Sequence, residues 1–159
     1  MAPIPTLHDG LVDQHAVVIG HSEGDRVVVT VVGRMHPEAQ DYWDGNWLIA
    51  PIRLHVGGFS GTLTAGLRVE ELGRFREELE GIYADVVGMA VLATLEGWLT
   101  LRVICRNTGS LDVTGVACDQ PGTGNRLEFR VEGMDQTYLP PLIEALRQCE
   151  QHYPVLGRP

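Results

Sequence analysis

The sequence contains no lysine, and all 12 of its basic residues are arginines. Against 21 aspartates and glutamates they leave a formal net charge of −9. Proteins that bind nucleic acid usually present a basic face that neutralises phosphates. The composition therefore predicts no direct binding to nucleic acid. It is compatible with a basic protein partner, because complementary charges accelerate association.

Cysteines and long apolar segments are also scarce. Cys105, Cys118 and Cys149 are odd in number, far apart and without zinc-site spacing, so we expect buried free thiols in a reducing compartment. The N-terminus shows no basic region followed by an apolar run, and no stretch approaches the roughly 20 apolar residues that span a bilayer. These features predict a cytoplasmic protein that does not interact with membranes.

No catalytic or cofactor-binding signature is recognisable. Neither H-E-x-x-H nor G-x-S-x-G occurs, and the glycine-rich residues 121–126 lack the lysine and the following helix of a phosphate loop. His15 and His21 could ligate a metal together with Asp13 or Glu23, but a solvated hairpin end is the favoured interpretation. The sequence thus predicts a protein that is not an enzyme, with no catalytic residues, no cofactor and no metal site.

Hydrophobic periodicity predicts one α+β domain over residues 1–159, with residues 1–10 and 155–159 loosely ordered. Apolar residues every three to four positions predict a helix from Val69 to Val86, and a second helix begins after Asp135 or Thr137. Strands are predicted at 15–20, 26–32, 48–56 and 59–67, followed by a meander over 89–131. The order strands–helix–strands–helix favours a single, strongly twisted antiparallel sheet of about seven to eight strands with two amphipathic helices.

Residues 41–48, Asp-Tyr-Trp-Asp-Gly-Asn-Trp-Leu, are the densest local signal in the chain. They combine three aromatic rings with two carboxylates, and such rings are enriched in contact surfaces. Asp44-Gly45-Asn46 is predicted to be a turn in which the Asp44 side chain satisfies local N–H groups, and Trp47 is predicted to be core. The residues of the octet that are candidates for partner binding are Asp41, Trp43 and Asp44.

Carboxylates are concentrated on the first predicted helix. One interpretation is a solvated helix face on which Arg74 pairs with Glu70 and Glu78 at helical spacing. The other is a negative surface that contacts a basic partner. Under the second interpretation the further candidates for partner binding are Glu70, Glu71, Glu77 and Glu78.

Several short motifs are shared with a known family. They are residues 41–48, 57–61, 70–79, 96–99, 121–127 and 135–140. Over roughly residues 40–155 the set resembles the WapI-family immunity proteins of bacteria. The resemblance implies a protein that binds and neutralises the C-terminal domain of a WapA-like contact-dependent toxin, a domain similar to a tRNA-cleaving nuclease. The alternative is a cytosolic small-ligand-binding or structural domain without catalytic activity; the oligomeric state is left open.

Overall fold

The computed structural model describes residues 15–159, and the predictions for residues 1–10 and for Asp13 lie outside this part of the chain. The described elements run in the order β1 (His15–Gly20), β2 (Arg26–Val31), β3 (Gly33–Arg34), α1 (Tyr42–Gly45), β4 (Trp47–Ile49), β5 (Ile52–Val56), β6 (Phe59–Leu63), β7 (Gly66–Arg68), α2 (Val69–Asp85), β8 (Gly88–Ala93), β9 (Leu99–Cys105), β10 (Ser110–Cys118), β11 (Arg126–Asp135), a 3₁₀ turn (Gln136–Tyr138) and α3 (Leu139–His152).

The strands form three antiparallel sheets. The first has the order β1-β2-β5-β6, the second β3-β4-β7 and the third β11-β10-β9-β8. The third sheet is the predicted meander, and its strands pair with their neighbours in sequence. The predicted hairpin of residues 15–20 and 26–32 is also confirmed, since β1 pairs with β2 from His15–Val31 to Gly20–Arg26.

The predicted single sheet of seven to eight strands is wrong, as is the number of helices. Each of three extended segments breaks in the middle, at Val32, at Ala50-Pro51 and at Thr64-Ala65, and so contributes strands to two sheets. Pro51 has no N–H to donate, which ends the regular ladder there. Hydrogen bonds still cross the breaks, from Thr30 N to Pro51 O at 3.0 Å and from Ala50 N to Ala65 O at 3.0 Å.

Both predicted amphipathic helices are present. The apolar stripe of α2 is buried, and it packs against β8 and α3. The stripe of α3 is buried against α2 and β1, with Pro140 and Pro141 in its first turn, where no intrahelical N–H bond is required. The buried stripe residues are Val69, Leu72, Phe75, Leu79 and Ile82 in α2, and Leu139, Leu142, Ile143, Leu146 and Cys149 in α3.

The three cysteines are free thiols. Cys105 and Cys149 are buried as predicted, and burial raises the pKa of Cys149 to about 11. The prediction is wrong for Cys118, which is only half-buried. It pairs with Arg126 in the ladder, and both side chains lie on the outer side of the third sheet, because neighbouring residues in a strand point to opposite faces.

Within residues 15–159, no helix has both the length and the apolar composition that crossing a bilayer requires.

Candidate functional site

Tyr42–Gly45 of the octet form the short helix α1, where a turn at residues 44–46 was predicted, and Trp47 and Leu48 begin β4. The Asp41 carboxylate caps the helix by accepting hydrogen bonds from the N–H groups of Trp43 and Asp44, both at 3.0 Å. The capping carboxylate is therefore Asp41, where the sequence predicted Asp44. The hydrogen bond from the Asp44 N–H, together with that from Trp43, lowers the pKa of Asp41.

Trp43 projects from α1 into solvent. It is 63% exposed, although burying a tryptophan side chain away from water is energetically favourable. Asp41 and Asp44 lie on the same turn and are also exposed. The structure thus brings these three predicted site residues together at the surface.

A buried arginine holds the backbone of α1 through hydrogen bonds. Arg68 is 6% exposed and donates hydrogen bonds to the carbonyl oxygens of Trp43 at 2.6 Å and Tyr42 at 2.8 Å. Its guanidinium lies 5.2 Å from the ring centroids of both Tyr42 and Trp47, which is cation–π geometry. The prediction that Trp47 lies in the core is wrong, because Trp47 is only half-buried and its ring faces the Arg68 guanidinium.

A buried asparagine joins α1 to the C-terminal segment. The Asn46 side-chain amide donates to Tyr42 O and to Leu156 O, both at 2.9 Å, and its oxygen accepts from Leu156 N at 2.8 Å. Arg34 adds bonds to Gly45 O and Pro154 O, each at 2.6 Å. These contacts hold both ends of α1 and so fix the backbone that carries Trp43.

Glu70 and Glu71 lie at the start of α2 and their carboxylates make contacts within the protein. Glu70 forms an ion pair with the Arg68 side chain. Glu71 accepts hydrogen bonds from Arg68 N and Leu95 N, both at 2.8 Å. The helix-surface pairs predicted between Arg74 and Glu70 or Glu78 do not form within residues 15–159. Both glutamates therefore contact Arg68, the residue that holds the backbone of Trp43.

The pKa of Glu71 gives a pH dependence that can be measured. Burial raises this pKa, against the opposing effect of the two backbone N–H groups. Because the folded-state pKa is raised, the contribution of Glu71 to stability is complete below the unfolded pKa of about 4.3, and it is lost as pH rises through the folded-state value. We expect Glu71→Gln to destabilise the protein less near pH 7 than near pH 4, measured by urea unfolding.

The control for this experiment is Glu77→Gln, because the Glu77 side chain is exposed and lies on the same helix. If the loss of stability caused by Glu71→Gln stays constant or grows with pH, the folded protein does not raise the pKa of Glu71.

The remaining predicted site residues lie further along α2. Glu77 is exposed, 3.9 Å from Arg76, and Glu78 is half-buried with its carboxylate 3.5 Å from Val91 N. The neighbouring helix surface is an ion-pair network in which the arginines bind the carboxylates of both helices. The pairs are Arg76 with Glu80 and Glu150, and Arg147 with Glu80 and Glu144.

Exposed apolar residues that the sequence did not indicate lie on the outer side of the β3-β4-β7 sheet. Ile49 is exposed and is opposite Gly33 and Gly66 in the ladder. The Met35 methyl group fills the space over Gly66, where a Cβ would lie 2.8 Å from it, and a Glu96 oxygen lies 3.7 Å from the same point. We call this surface, together with α1, the aromatic–acidic face: Met35, Asp41, Trp43, Asp44, Ile49, Leu95 and Glu96.

No group of three or more His, Cys, Asp or Glu side chains within residues 15–159 is arranged to hold a metal ion. His15 stacks against His152 with ring centroids 4.7 Å apart, and His21 bonds to Glu132 O and the Tyr138 hydroxyl. Both histidines of the considered metal site therefore make contacts that tie the strands to α3 and β11.

The fold and the site define an α+β protein with an exposed aromatic–acidic surface. Residues 18–154 match the model of the immunity protein WapI-like family, and the chain belongs to that family. The resemblance seen in the sequence is thereby confirmed. No curated protein and no solved structure matches the chain.

Proposed function

We propose that this member of the family is a non-enzymatic cytoplasmic immunity protein that binds a cognate toxin domain through the aromatic–acidic face. The toxin domain would be the C-terminal, nuclease-like and tRNA-cleaving part of a WapA-like contact-dependent toxin. The observation that carries the proposal is Trp43, which is 63% exposed on a helix held from both ends. Family membership supports the role of a toxin inhibitor.

A tryptophan held in this way is suited to anchor a protein partner. Tryptophan is among the residues most enriched in binding hot spots. The bonds from Arg68 to the carbonyls of Tyr42 and Trp43 fix the backbone of α1 in the free protein. Less conformational entropy is then lost on association, so more of the burial energy appears as affinity.

The carboxylates of the aromatic–acidic face favour a basic partner. Asp41, Asp44 and Glu96 are exposed carboxylates on the aromatic–acidic face. The lowered pKa of Asp41 keeps that group ionised at neutral pH. A nuclease presents a basic groove to its RNA substrate, and a carboxylate-rich surface is complementary to such a groove. Occupying the groove would exclude the RNA and neutralise the toxin without any chemical step.

Trp43→Ala is expected to weaken toxin binding by about 2 kcal/mol, roughly thirtyfold in Kd, because it removes the central anchor. The neighbouring genes are sequenced first, and the partner to use is the variable C-terminal domain of a large secreted repeat protein found among them; the absence of such a gene would count against the proposal. Isothermal titration calorimetry measures the affinity, and co-expression with the toxin domain measures protection of the cell. The unfolding free energy should stay nearly constant, since Trp43 is largely in solvent.

The matched control is Phe59→Ala, since Phe59 is 64% exposed but lies on β6 of the first sheet. Equal losses of affinity for the two variants would remove the aromatic–acidic face from the proposal. Failure of the wild-type protein to bind the neighbouring toxin domain, or to protect cells from it, would overturn the proposed function itself.

A further inference from the structure

Three arginines share the outer face of the third sheet. Arg102 in β9 and Arg130 in β11 are both opposite Thr114 of β10, one on each side. Arg126, the first residue of β11, is opposite Cys118. Directly paired residues in antiparallel strands project to the same side, so all three guanidinium groups extend from one surface.

Two of these arginines differ from those of the helix surface because their side chains have no carboxylate partner. Within residues 15–159, neither the Arg102 nor the Arg126 side chain forms a hydrogen bond or an ion pair, and the Arg130 side chain forms an exposed ion pair with Glu132, 3.1 Å long. Such exposed ion pairs contribute little to the stability of a protein. A chain with net charge −9 therefore places three cationic side chains on one face, which also carries Glu128 and Glu132 of β11, and two of the three guanidinium groups have no carboxylate within ion-pair distance among residues 15–159.

The face is concave. It forms an open groove with a volume of about 800 Å³, which is within the usual range for small-molecule sites. The hydroxyl-bearing Thr100 and Thr114 line the groove, and Glu128 is the only carboxylate that lines it within residues 15–159. Strand spacing of about 4.8 Å places the Arg102 and Arg130 backbones roughly 10 Å apart, and a rise of about 3.4 Å per residue places Arg126 roughly 13 Å from Arg130. Long arginine side chains can converge on one compact anion across these distances.

We propose that this groove binds a small phosphate-bearing ligand with two or more linked phosphates. Guanidinium groups bind phosphate oxygens through paired, charge-assisted hydrogen bonds, and three of them match a multiply charged anion. The acidic remainder of the protein disfavours a long polyanion such as RNA, whose outlying phosphates would meet carboxylates. The groove shares no residue with the aromatic–acidic face, which it meets at the β8–β9 turn, where Gly97 follows Glu96. The inference does not depend on the proposed function.

Pyrophosphate is the probe for the test, titrated into the full-length protein at constant ionic strength and followed by calorimetry and by NMR. We expect saturable binding at one site. Arg102→Gln and Arg126→Gln should each weaken it about tenfold, because each removes a charge-assisted contact. Arg74→Gln is the control, since it removes the same charge from the exposed surface of α2. It should bind as the wild type does.

Three results would overturn the inference. They are the absence of saturable pyrophosphate binding, equal weakening in all three variants, and tighter binding of an RNA oligonucleotide than of pyrophosphate. The last would assign the groove to nucleic acid. Toxin binding by Arg102→Gln, measured in parallel, should equal that of the wild type, so a failure at this groove can be distinguished from a failure of the proposed function.

Discussion

Replacing Arg68 by methionine is expected to lower the free energy of unfolding by about 3–5 kcal/mol, because it breaks a buried ion pair by removing one partner. The Glu70 carboxylate would lose its counter-ion, and one of its oxygens is already buried without a hydrogen bond. The carbonyls of Tyr42 and Trp43 would lose their donor. Urea unfolding measures the change. Toxin affinity should fall as well, since α1 would no longer be held.

Arg74→Met is the matched control, because Arg74 is exposed on α2, and its effect should stay within about 0.5 kcal/mol. The double variant Arg68→Met/Glu70→Met should recover at least about 1 kcal/mol relative to Arg68→Met, since it removes the orphaned charge. Equal stabilities for the single and double variants would show that the unpaired Glu70 carboxylate does not contribute to the loss.

The second large effect is expected for Asn46→Ala, which should lower the free energy of unfolding by about 3 kcal/mol. Its side chain makes three hydrogen bonds to backbone groups of Tyr42 and Leu156, and the residue has no exposed surface. Each buried partner left unsatisfied costs about 1 kcal/mol or more. We also expect faster amide hydrogen exchange at Leu156, whose N–H donates to Asn46, and a weaker affinity for the toxin domain.

Asn125→Ala provides the comparison, because the Asn125 side chain donates one exposed hydrogen bond to Asp119 at 2.9 Å and its loss should cost under about 1 kcal/mol. Asn46→Asp should be no better than Asn46→Ala, since a carboxylate cannot donate to the two carbonyls. Unchanged exchange at Leu156 in Asn46→Ala would contradict the assigned role of this side chain.

The types of secondary structure were predictable because they depend on local periodicity. The alternation in β9 and β10 and the three-to-four-residue spacing in α2 and α3 locate those elements. The division into three sheets was not predictable in the same way. Residues 26–32 and 59–67 each have one continuous pattern. Pro51 interrupts residues 48–56, but it does not indicate that the two halves join different sheets, because that depends on which strands pair on either side.

The candidate surface was predictable only in part. Asp41, Trp43 and Asp44 were recognised because they are adjacent in sequence and chemically unusual. Met35, Ile49 and Leu95 were not, because they come from separate segments whose proximity follows from strand pairing and from the Glu71–Leu95 contact. Each of them is an ordinary apolar residue in its own segment, with nothing local to mark it as exposed.

The sequence by itself determined the acidity of the protein, the order and type of its main elements, and its membership of the family, since these depend on composition, local spacing and motifs. Only the tertiary structure decided the role of each carboxylate and each aromatic ring. Arg68 and Trp43 are 25 residues apart, and Asn46 and Leu156 are 110 apart, yet these contacts determine that Trp43 is displayed while Glu70 and Glu71 support it. Burial and hydrogen bonding at such sites depend on segments distant in sequence, so they follow from how the chain packs.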